Sequence, residues 1–214
     1  MYNWGKRNIK KQARFDTIIS EYQRIFNCDN IGDKQYWTMC SRCTDDNGKP
    51  QEGSEYDQTI NSGLLLPNRW NGVDKDAAFI RDNKQAYPTA NWYAGDFYWT
   101  MREAWSNDAF HPAIVNIDTM VMGPRAAPFV ADILDLCSEL DNIMVVINIV
   151  TEEPRRHRKI PMSTFLDLLG KEPKFRHSER NAKWQFDEEK YLYKKHSEMG
   201  TIILYKKPLD IVEV

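Results

Sequence analysis

RWNGVDKDAAFIRDNKQAYPTANWYAGD, residues Arg69–Asp96, is the stretch on which the fold turns. Its first six residues, ending at Asp74, read as a short strand that finishes on an acid. Asp76 then opens a helix that runs to Tyr87. Pro88 stops it, because proline has no backbone N–H and biases the residue before it away from helix. Asn91 to Asp96 reads as a second strand, again finishing on an acid. Strand, helix and strand in this order form a βαβ unit, which joins parallel strands.

The same alternation continues downstream. Phe97 to Trp105 reads as a helix, and Ala113-Ile-Val-Asn-Ile-Asp118 as a third strand that ends on an acid. Ala127 to Leu140 carries Phe129, Ile133, Leu134 and Leu136 on an apolar helical face. Asn142 to Val150 is the most continuous apolar run and reads as a buried central strand. The acids Asp74, Asp96 and Asp118 recur at intervals of 22 residues. In parallel sheets the carboxyl ends of the strands are where ligands bind, so three acids in succession there form a constellation.

Upstream, Gln35 to Cys40 is a short aromatic strand. Thr44 to Gly53 is a polar loop, and Ser54-Glu55 caps a helix that Gly63 ends. Ile9 to Phe26 is an amphipathic helix ahead of the main fold. At the other end, Lys190–Lys195 and Gly200–Lys206 are β-rich runs around a polar turn, and they read as an antiparallel hairpin. The expected fold is α/β, with a mostly parallel, doubly wound sheet that closes in an antiparallel hairpin and follows an N-terminal helix. Residues 1–33 are the helical extension. Residues 34–214 are the α/β domain, with a basic insertion at about 154–184.

Composition suits one such domain. The 214 residues are 42% hydrophobic and 12% aromatic, enough to fill a core. Net charge is only −2, which by itself predicts no polyanion partner. The charge is unevenly spread, however. Pro154–Trp184 holds nine Lys/Arg against three acids, +6 in all, so the remainder carries −8 to give −2. Such a segment is either a solvated basic face or a surface for an anionic ligand. No signal segment or membrane-length apolar run is present, so a soluble, cytoplasmic chain is expected. Cys40 and Cys43 form a lone C-x-x-C without a second pair, and no metal site is expected.

The closing hairpin and the acids at the strand ends resemble the class I S-adenosylmethionine (SAM)-dependent methyltransferases over roughly residues 34–207. The resemblance implies a seven-stranded sheet and SAM as cofactor. It implies that Asp74, with Lys75 beside it, holds the ribose hydroxyls, and that Asp96 and Phe97 contact the adenine. Asn116-Ile-Asp118-Thr119 takes the place of the motif facing the transferred methyl, with Asp118 as the catalytic residue. The family's glycine-rich first loop is replaced by Cys40-Ser41-Arg42-Cys43. Ser41 then bounds the pocket, and Glu52, Ser54 or Glu55 supplies a partner for the cofactor's amino group. Arg155, Arg156, Arg158 and Lys159 open the basic insertion and would bind substrate, with nucleic acid as the implied acceptor.

Each acid also has a plain structural role open to it, since Asp is a common helix N-cap. Three functions fit the residues. One is an active methyltransferase on an unidentified acceptor, and another is a methyltransferase-like binding protein without catalysis. The third is an enzyme acting on a different nucleoside-containing ligand.

Overall fold

The computed structural model describes residues 4–40, 42–153, 158–159, 162–172, 184–189 and 198–207. The strand order is β3-β2-β1-β4-β5-β8-β7, with the short β6 paired to β5 off this path. Two compact units meet inside β4, the first ending at Asn116 and the second starting at Ile117.

In the first unit, α1 (Trp4–Phe26) buries Phe15, Ile18, Ile19, Tyr22 and Ile25, the stripe its periodicity predicts. β1 (Gln35–Met39) runs parallel to β2 (Trp70–Asp74) on one side and to the start of β4 (Pro112–Met122) on the other. β3 (Asn91–Ala94) pairs parallel with β2. Alternate residues of β1 face opposite ways, as strand geometry requires. Tyr36 stacks on Trp70 at 5.1 Å, while Trp37 stacks on Tyr93 at 5.6 Å.

Gly72 sits beneath this aromatic layer. A Cβ there would come within 2.6 Å of the Trp92 ring, so only glycine lets the two aromatics pack.

The helices of this unit begin where side chains can satisfy their orphan N–H groups. Ser54 caps α2 (Glu55–Asn61), and Gly63 follows with φ +75°. Asp76 caps α3 (Ala77–Ala86), accepting from the N–H groups of Ala78 and Phe79. Asp96 caps α4 (Phe97–Ser106) through the N–H of Trp99.

The polar stretch after β1 is more organised than a plain loop. Thr44 and Pro50 form a bridge, and Asp45 Oδ1 accepts from the N–H groups of Asn47 (2.8 Å) and Lys49 (2.9 Å). The loop is moored to α3 by Arg42, which pairs with Asp82 at 3.2 Å, and by Cys43 N–H, which donates to Asn83 at 3.0 Å.

In the second unit, β5 (Ile143–Glu153) pairs antiparallel with β8 (Glu198–Lys206), and β7 (Gln185–Glu189) pairs antiparallel with β8. Ile143 to Ile147 and Ile149 are buried, as the apolar run predicts. α5 (Gly123–Leu136) buries Val130, Ile133 and Leu134, and packs against α6 (Met162–Leu169), which buries Phe165 and Leu169.

Several boundaries differ from the sequence reading; α1 begins at Trp4 rather than Ile9, and β5 runs on to Glu153 rather than ending at Val150. β4 continues four residues past Asp118, to Met122, so Asp118 lies within a strand rather than at its end. α5 starts at Gly123 instead of Ala127. Pro124 is no obstacle there, because a first-turn residue has no intrahelical N–H bond to lose. The first arm of the closing hairpin is the acidic Gln185–Glu189, whereas the predicted arm Lys190–Lys195 lies outside the described residues. The end strand of a sheet tolerates polar side chains, which hides it from a search for apolar runs.

Candidate functional site

The carboxyl ends of β1, β2 and β3 gather the acids of the first unit. Asp74 is the last residue of β2, and its Oδ1 accepts the N–H of Asp76 at 2.7 Å. This bond shapes the turn into α3 and leaves the capping itself to Asp76. Oδ2 of Asp74 makes no hydrogen bond among the described residues and is an open acceptor.

Lys75 and Asp96 pair across the ends of β2 and β3 at 3.0 Å. Burial works against the charge of Asp96. The Lys75 ammonium and the N–H groups of Trp99 and Tyr98 outweigh it, and they hold the carboxyl below its ordinary value. Phe97 is 3% exposed and belongs to the core. The exposed rings in this part of the chain are Tyr93 of β3 and Trp99, the latter in the first turn of α4 with the Arg102 guanidinium 5.1 Å from its centroid.

Glu55 is the most unusual of the predicted residues. It stands in the first turn of α2 and is buried. Its Oε1 accepts three hydrogen bonds, from Tyr36 Oη (2.7 Å), Thr38 Oγ1 (2.9 Å) and Asn116 Nδ2 (2.7 Å). Close to it, Cys40 and Cys43 are both buried and not joined in a disulfide. Burial, then the neighbouring Cys43 and the carboxylates of Glu55 and Asp74, push the Cys40 thiol well above its ordinary value.

Sequence reasoning missed Tyr36 and Thr38 and gave Asn116 a different task. Asn116 is fully buried, and its amide donates to Glu55. A signal was present: Thr38 and Asn116 are polar positions inside otherwise apolar strands, and buried polar groups need partners.

Asp118 lies in the second unit, within β4, and is half-buried. Arg158 and Lys159 form β6, opposite Glu153 and Glu152 of β5. Ser41, Arg155 and Arg156 lie outside the described residues.

No protein-family model matches the chain. No curated protein matches it either. Solved structures do. The chain is similar to a TehB-like SAM-dependent methyltransferase from Corynebacterium glutamicum, at 15% identity and a TM-score of 0.47, over 92% of this chain and 88% of that one. It is also similar to a chain of the Pnkp1/Rnl/Hen1 RNA repair complex, at 12% identity and a TM-score of 0.52, over 92% of this chain and 42% of that one.

The strand order decides the architecture, since the last strand is inserted antiparallel between β5 and β7. The fold is class I methyltransferase-like. Asp74 ends β2, and Asp96 follows β3 as the cap of α4. The segment after β1 departs from the glycine-rich pattern, with Cys40 and Cys43 packed inward and Arg42 tied to α3.

Proposed function

We propose that this chain is a SAM-dependent methyltransferase that holds its cofactor at the carboxyl ends of β1, β2 and β3. The observation that carries the reading is the open Oδ2 of Asp74 at the end of β2 in a methyltransferase-like sheet. A carboxylate there can accept from a ribose diol. The donor set suits the group, because SAM also presents a cationic amino group and sulfonium, and Glu55 offers a buried carboxylate nearby.

When bound, SAM supplies an activated methyl group, so catalysis is mainly a matter of in-line positioning. Asp74 with Lys75 beside it would hold the ribose and Asp96 would border the adenine, while Glu55 would lie against the positively charged methionine part, its amino group and its sulfonium. Ser41 would bound the pocket, and Asp118 would serve the acceptor. Phe97 contributes by packing rather than by covering the adenine, because its ring is buried.

The acceptor we favour is nucleic acid, bound by the basic segment that Arg155, Arg156, Arg158 and Lys159 open. The segment's +6 charge supports this. Such binding should weaken steeply as salt rises, because phosphate contacts release counterions. A second reading, a binding protein without catalysis, is favoured by the loop after β1, where Cys40 and Cys43 pack inward and Arg42 is tied to α3.

Incubation with methyl-labelled SAM and separate RNA, DNA and protein fractions tests the proposal. Label should enter nucleic acid, and less of it at high salt. Tight SAM binding with no label in any fraction would instead establish the second reading.

A further inference from the structure

Glu55 is 4% exposed, yet its hydrogen bonds are unevenly shared. Oε1 takes all three donors, two from β1 and one from β4, at 2.7–2.9 Å. Oε2 has no hydrogen-bond partner among the described residues. The three donors fix the carboxylate through one oxygen and leave the other available as an acceptor. Burial and Cys43 do most to raise the Cys40 thiol, and Glu55 and Asp74 add to it, so both carboxylates lie near this end of β1.

We propose that Tyr36, Thr38 and Asn116 position Glu55 as a charge selector, so that the site prefers a ligand with a positive centre and retains a sulfonium over its demethylated thioether. The inference rests on the cofactor reading above and adds a direction to it. Loss of the methyl group removes one positive charge, and with it part of the attraction to Glu55. Product release would then be favoured by the transfer itself. Glu55 is the specificity residue, and the three donors are positioning residues that need not touch the ligand.

The test is calorimetric titration of the full chain with SAM and, separately, with its thioether product. Wild type should bind SAM at least about tenfold more tightly, the scale of one charge contact at an effective surface dielectric. Glu55→Gln should bring the two affinities to about the same value. Tyr36→Phe, which removes one donor and keeps the stack on Trp70, should give an intermediate ratio, and it serves if Glu55→Gln fails to fold. A merely structural Glu55 would lower stability without moving the ratio. Equal wild-type affinities, or a ratio unmoved in both variants, overturn charge selection and leave the cofactor reading standing. Binding of neither ligand by folded wild type at millimolar concentration overturns the cofactor reading and this inference together.

Discussion

At the residue scale, small changes of position separate structural acids from available ones. Asp76 and Asp96 cap helices, whereas Asp74 uses one oxygen for a turn and keeps the other open. Asp96 also has a pH consequence. Its carboxyl sits below the ordinary value in the folded chain, so it contributes stability above the usual aspartate range. That contribution is lost as pH falls through the depressed value. Thermal midpoints of wild type and Asp96→Asn should therefore differ most near neutrality and converge in acid. A gap independent of pH would count against the Lys75 pairing. Gly72 is a steric case. Gly72→Ala places a methyl 2.6 Å from Trp92 and should cost about 1–3 kcal/mol in denaturant unfolding, the range for overpacking a core.

At the element scale, the loop after β1 takes the place of a glycine-rich turn and is held by specific bonds. Arg42 pairs with Asp82 and lies over the Phe79 ring. Arg42→Ala should speed amide exchange over residues 45–51 while leaving the exchange of β1 and β2 unchanged. Unchanged exchange in the loop would show that the Asp45 turn alone secures it.

The same scale shows what the sequence made legible. Strands β1 to β5 and helices α1 to α4 were readable in outline because apolar periodicity and Asp, Ser and Pro punctuation agreed over most of their length. The overrun of β4 was not readable: Asp118 looks like a stop, yet the strand continues through Thr119-Met-Val-Met122. β7 was hidden because Gln185–Glu189 is polar. The Glu55 cradle was half legible. Glu55 stood out beside a helix start, but its donors lie 17 to 61 residues away, and no local pattern joins them.

At the scale of the whole molecule, topology and charge carry different weight. The order β3-β2-β1-β4-β5-β8-β7 fixes the fold and puts Asp74 and Asp96 at strand ends where ligands bind. Fold alone does not assign chemistry, so the central claim is the binding of SAM through Asp74. Titration of purified chain with SAM by calorimetry addresses it most directly, with Asp74→Ala alongside. The account predicts saturable wild-type binding that Asp74→Ala weakens by about 1–3 kcal/mol, the range for hydrogen bonds to a charged group. Folded wild type that takes up no SAM at millimolar concentration, or an Asp74→Ala variant that binds as tightly as wild type, would contradict it.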